Sequence, residues 1–328
     1  MARSLSPKEL TSLDHLIGEV GSALGLAHSE STAVVQAAVV GRECERDSVA
    51  IESWINDRLI PNTVFIDQNG YLEMCIAALR TVPSTVATDF GSSRQRDLGQ
   101  IWGDKTRGYL GEYALKLYLK KLFDLEIDLG HQEGELGDFL ESDIARVLVE
   151  GKWREPDLKV GVKTTKMNGI WLDIPNNQFA HSDVHVAVKL AVPTDHLFSF
   201  MKSVGIFRDI ILKLGVEVGH IDATEALRIN DEIPDLKRIP AYVCGLADAR
   251  TTYGVLPYQG WKGTKNFTID GWKGERRLGD LDAICVKEAA AKAQFERIGK
   301  FSHDLGFLFN TGSLEWGATV WSELVESL

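Results

Sequence analysis

Cysteine is scarce in this chain: there are four, Cys44, Cys75, Cys244 and Cys285, widely scattered and never paired as CxxC. A disulfide framework or a structural zinc site therefore has no foothold, and a reducing cytoplasm is the expected home. No apolar run approaches the roughly 20 residues that a membrane helix needs. The opening MARSLSPKEL lacks the apolar core of a signal peptide, so export is not expected. Basic charge is short too. A formal net charge of −11 argues against coating nucleic acid by bulk charge, but not against an enzyme whose contact surface is only locally basic. Proline and glycine are not in excess, and no low-complexity segment occurs.

The 328 residues suffice for one large domain or two ordinary ones. Residues 1–92 read as a helical region for support, dimerisation or DNA contact. Ser6, Pro7 and Glu9 make a capping-box start, and Leu10, Leu13, Ile17 and Val20 recur at helical spacing. Further helices are expected at 29–45 and 51–60, the latter stopped by Pro61, before a polar linker containing Pro83 and Gly91. Residues 93–328 read as one catalytic domain. It opens with an amphipathic helix, KTRGYLGEYALKLYLKKLF (105–123), followed by β-type runs at 144–149, 160–165, 170–174 and 184–190. Helical pattern returns at 195–214, a β-type run at 242–246 and a helix at 286–300. Helix, several strands, then helix predicts an α/β (α+β) fold with a mixed central sheet flanked by helices.

Three stretches carry residue types suited to hydrolysing a phosphodiester, which needs a hard cation on carboxylates, an activated water and a positive group near the developing charge. Glu112 lies on the amphipathic helix; a surface pair with Lys116 is its bland alternative. Asp143 opens the run IARVLV, where an ordinary turn aspartate is equally possible. In VGVKTTK, Lys163 stands mid-strand on the face of Gly161. An ammonium there is costly without a partner, such as a carboxylate pair with a metal or phosphate; a buried structural ion pair is the competing explanation. A turn near Gly151 and Lys152 places Asp143 opposite 160–163. His181 and His185 are four apart, but the run reads as loop and strand, so at most one of these or His196 lies near a metal. Gln178 and Asp183 sit in the loop that follows, as capping residues or neighbours of the site.

Glu after Gly on a helix, Asp at a strand start, and V-x-V-K-T-T resemble the PD-(D/E)XK nuclease superfamily, which includes most type II restriction endonucleases. The resemblance covers about residues 94–200. It implies a magnesium-dependent endonuclease acting on double-stranded DNA, with Asp143 and Glu112 on the metal and Lys163 orienting the attacking water. The chain departs from the pattern two positions before Lys163, where the family has Asp or Glu and this sequence has Gly161. The missing carboxylate then comes from Asp157 in PDLK, from Glu112 or from Asp138, or else the chain is an inactive DNA-binding relative.

Two segments are locally basic. One carries Arg94, Arg96, Lys105 and Arg107. The other, QGWKGTKNFTIDGWKGERR, carries Lys262, Lys265, Lys273, Arg276 and Arg277 with Trp261 and Trp272 among glycines. Both are candidate DNA contacts, which places DNA-reading elements in 240–328. RQRD, TRGYLGE, VKTTKMNGIWLDIP, HSDV and DHLF together look similar to BisI-like restriction enzymes that require 5-methylcytosine. A homodimer is expected if the DNA site is palindromic. A junction resolvase is the other enzyme reading, against which the long C-terminal half speaks.

Overall fold

The computed structural model describes residues 4–89, 97–130, 142–175, 182–249, 266–270 and 305–328. Arg94, Arg96, Asp138, Gln178, His181, Trp261, Lys262, Lys265, Trp272, Lys273, Arg276, Arg277 and the helix expected at 286–300 lie outside them.

The fold is mixed α and β, with a mixed sheet flanked by helices. Its centre is β7 (Val184–Leu190), VHVAVKL, in which every residue is buried. A strand covered on both faces needs such a near-continuous apolar run. β7 pairs in parallel with β5 (Val160–Lys166) and antiparallel with β8 (Arg238–Asp248). β8 pairs antiparallel with β1 (Thr63–Asp67), so the order is β1-β8-β7-β5 and β5 is an edge strand.

One face carries Val160, Val162, Val184, Val186 and Val188, and α6 (Leu98–Phe123) lies across it with Leu110, Ala114, Leu115, Tyr118 and Leu119. α6 begins with an Asp97–Gln100 capping box, seven residues upstream of the helix the sequence pattern marks. α5 (Gln68–Asp89) packs beside it through Tyr71, Met74, Cys75 and Ala78. The other face, with Ala187, Tyr242 and Cys244, receives the N-terminal helices α1 (Pro7–Ser12), α2 (Asp14–Leu24), α3 (His28–Val40) and α4 (Ser48–Ser53). It also receives part of a three-stranded sheet, β6 (Trp171–Pro175), β10 (Leu305–Asn310) and β9 (Asn266–Asp270), in the order β6-β10-β9. A third sheet, β2 (Glu126–Leu129), β3 (Ile144–Val149) and β4 (Lys152–Arg154), is antiparallel, and its β3–β4 turn uses Glu150 and Gly151 at positive φ.

The helical reading of 1–92 needs one correction. TVFID (63–67) is a strand, and with α5 it belongs to the main core rather than to a separate helical unit. α5 also continues through Pro83, where a linker was expected. The chain continues through α7 (His196–Ser203), a π-helical Phe207–Leu212, α8 (Lys213–Glu217) and α9 (Ala223–Glu232), and ends with α10 (Ala318–Ser327). Among the described residues no helix is long and apolar enough to cross a membrane.

Candidate active site

Edge strand β5 offers unpaired backbone groups on its outer side, and the residues just ahead of β3 take them up. The Asp143 amide donates to the Val160 carbonyl at 2.8 Å. The Val160 amide donates to Ser142 Oγ at 3.1 Å, and the Val162 amide donates to the Asp143 carboxylate at 2.5 Å. Beyond this clasp β3 turns away to pair with β2 and β4. The Asp143 carboxylate is thus anchored one residue before Lys163.

The residue after Lys163 is fixed from the other direction. Gly111 of α6 rests on Thr164, and a Cβ at 111 would overlap the Thr164 hydroxyl. Glu112 follows at once. Asp143 is therefore brought to the Val162–Thr164 stretch of β5, with Glu112 next in sequence to the Gly111–Thr164 contact, and Asp143, Glu112 and Lys163 are all half-buried. Strand alternation sends Val162 and Thr164 towards α6, while Lys163 leaves on the face it shares with Gly161.

Sequence reasoning missed Tyr109, one turn before Glu112. Its hydroxyl lies 3.0 Å from Thr81 Oγ1 of α5. Burial pushes this phenol above its ordinary value, and the Glu112 and Asp143 carboxylates push it the same way, against the Thr81 hydrogen bond. The pattern was available: Lys105, Tyr109, Glu112 and Lys116 recur at helical spacing, and all four are half-buried. Lys105 sits about 10 Å along the helix from Glu112 on this same face.

The position lacking its acid is closed. A Cβ on Gly161 would come within 2.9 Å of both His185 Nδ1 and Ser182 Oγ. His185 faces Gly161 in the β5–β7 register and is fully buried, so its ring fills the space that an Asp or Glu side chain would use.

Other candidates are placed elsewhere. Asp157 lies three residues ahead of β5, exposed, ion-paired with Arg154 at 3.2 Å and with its amide 3.3 Å from the Leu328 carbonyl. The structure does not bring it alongside Lys163. Asp183 accepts from the Lys159 amide at 2.9 Å and so shapes the entry to β5. Arg107 reaches the Pro193 and Thr194 carbonyls at 3.3 and 3.4 Å and pairs with Asp104, which ties it to the loop before α7. His196 is buried against Trp102, their ring centroids 5.0 Å apart.

Among the described residues no three of His, Cys, Asp and Glu come together closely enough to hold a metal ion. Magnesium asks for less: it keeps most of its waters and takes one or two carboxylates plus substrate phosphate. Asp143, held on the edge strand by the Val162 amide, and Glu112 are carboxylates with oxygen donors only, the ligand type that magnesium takes. No family model, curated protein or solved structure matches this chain.

Proposed function

We propose that the chain is a magnesium-dependent endonuclease that hydrolyses phosphodiester bonds in double-stranded DNA at a short specific site, with a restriction-endonuclease-like core. The observation that supports this reading is the Asp143 clasp on edge strand β5, next in the strand to Lys163. Asp143 is clasped to Val162, Gly111 (the residue before Glu112) rests on Thr164, and Lys163 is the edge-strand residue between, its side chain on the face away from α6. Magnesium held by Asp143 and Glu112 would supply the positive charge that offsets charge building on the phosphoryl oxygens. Lys163 donates hydrogen bonds to the attacking water and to a phosphate oxygen, which holds the nucleophile in line. Asp143 keeps its orientation because the Val162 amide holds one of its oxygens. Lys105, on the Glu112 face of α6, contacts a neighbouring phosphate, and the basic segments around Arg94 and Lys262 to Arg277, which lie outside the described residues, are further DNA contacts of this proposal. The resemblance to BisI-like enzymes makes 5-methylcytosine a target to test beside unmodified DNA, and two copies would read a palindromic site.

The test is cleavage of unmethylated plasmid, cytosine-methylated plasmid and a four-way junction by the purified chain with magnesium. Discrete fragments from plasmid support restriction; cutting of the junction alone would make the chain a resolvase. Lys163→Ala should lower cleavage by at least about 100-fold while DNA binding persists. Asp143→Asn keeps an acceptor for the Val162 amide, so it should fold normally yet lose cleavage. Full activity in either variant would remove the site assignment. A second reading, a DNA-binding relative without catalysis, is favoured by the closed space at Gly161. It predicts retained binding and no cleavage of any substrate.

A further inference from the structure

The polypeptide from α7 to α9 carries an apolar face that the other described residues leave open. Ile206, Ile210, Leu214 and Val218 recur every four residues, flanked by Val204 and Ile211, and all six are 40 to 60 % exposed. In an ordinary α-helix a four-residue repeat drifts round the axis by about 40° per step. Phe207–Leu212 is π-helical, with more residues per turn, and this opposes the drift so that the four stay aligned. Only Phe207 and Leu212 of this helix are buried, and neither α8 nor α9 buries any residue. Helices this short draw their stability from packing an apolar face, and here that face lies open.

We infer that this stripe is the contact between two copies of the chain, related by a two-fold axis that crosses the stripe between Ile210 and Leu214. The six side chains present on the order of 500 Å² of apolar surface, near the non-polar share of the roughly 800 Å² per partner in a standard interface. That area is at the upper end of what a monomer leaves open. The stripe is also complementary to itself. Antiparallel pairing about residue 212 sets Ile206 against the partner's Val218, and Ile210 against the partner's Leu214. The adjoining row, Asp209, Lys213 and Glu217, alternates in sign, so no block of like charge opposes the approach. Lys202 of α7 donates to the Ile233 carbonyl just after α9 at 2.7 Å and pairs with Asp235 at 3.1 Å, which ties the two ends of this helical stretch together.

Sedimentation of the full chain reads the answer directly, and it does so independently of any nuclease activity. At tens of micromolar the species should have twice the 36.3 kDa of one chain. Leu214→Asp should return it to one chain with the circular dichroism spectrum and melting temperature kept. The double variant Ile210→Cys/Leu214→Cys should form reducible covalent dimers that the unchanged chain does not form; this arm decides the matter if the aspartate variant fails to fold. A wild-type chain that sediments as a monomer overturns the inference, whatever else covers the stripe. So does a dimer that persists in Leu214→Asp and in Ile210→Asp.

Discussion

Position 111 is a glycine because Thr164 occupies the space a side chain would need. Alanine normally favours a helix interior over glycine by about 1 kcal/mol, so the substitution would stabilise an open site. Here the added methyl has to push α6 off β5, and overpacking of that kind costs about 1–3 kcal/mol. Gly111→Ala should therefore lower stability by about 1 kcal/mol or more in urea denaturation. Adding Thr164→Ala should recover part of the loss, a coupling that separates a local clash from a general helix effect. Because Glu112 adjoins the contact, the same pair of variants should shift cleavage more than stability. The two mid-strand lysines show how far single residues could be read from sequence. Lys163 stood out as an ammonium in an apolar strand, yet Lys189 in VHVAVKL satisfies the same criterion. Lys189 is 2 % exposed and bound to a fully buried Glu43, a structural pair. Lys163 is half-buried at an edge strand beside the Asp143 clasp. Spacing within a strand does not separate these cases; the partner's place in the fold does.

At the scale of elements, the legible ones had a strong local period. The runs at 144–149 and 184–190 are strands with those bounds, and the helix marked at 105–123 is the greater part of α6. β1 was missed because five residues between Pro61 and a long helix give no period of their own; β8 makes them a strand. The closure of Gly161 by His185 was also hidden, because the parallel register joins positions 24 apart in the chain. α7 brings a group whose chemistry follows from such packing. Burial of His196 lowers its pKa from 6.5 to about 4, with help from the nearby Arg107 charge and against the Gly103 carbonyl and Asp195. The folded state binds this proton less readily than the unfolded chain. Its contribution is therefore complete above pH 6.5 and is lost as pH falls from there towards 4. The loss reaches about 2–3 kcal/mol near pH 4.5. Urea midpoints at pH 7.5, 5.5 and 4.5 should fall accordingly. His196→Leu should show a shallower slope, by up to one proton, even if its starting stability is lower. An unchanged slope would place the acid sensitivity elsewhere.

On the scale of the whole molecule, one carboxylate joins the layers. Glu43, between α3 and α4, accepts from Lys189 of β7, from Thr311 after β10 at 2.7 Å, from Tyr242 of β8 at 2.9 Å and from Trp54 at 3.2 Å. Arg58 lies alongside and donates to the Cys244 and Thr311 carbonyls at 2.8 and 3.0 Å. Burial opposes ionisation of Glu43, but Lys189 and Arg58 outweigh it and hold the carboxyl below its ordinary value. Four donors match the lone pairs a carboxylate offers, so the cluster is satisfied as a unit. Such a unit contributes little over an apolar replacement of the same shape, yet losing one member is expensive because the other charge stays buried. Lys189→Met should therefore destabilise the protein by about 3–5 kcal/mol, softened to the extent that Arg58 takes over the carboxylate. Glu43→Gln in the same chain should not return that loss, because Arg58, buried alongside, would then be the charge left without its counter-ion. Guanidinium denaturation followed by tryptophan fluorescence and by circular dichroism would separate two outcomes. A single coincident transition, shifted in both signals, means that the N-terminal helices and the central sheet unfold together through this cluster. Two separated transitions in Lys189→Met mean that the helices detach first, with Glu43 holding them to the sheet in the native chain. A loss below about 1 kcal/mol would mean that Arg58 alone neutralises Glu43, and the lysine would then be dispensable to the architecture.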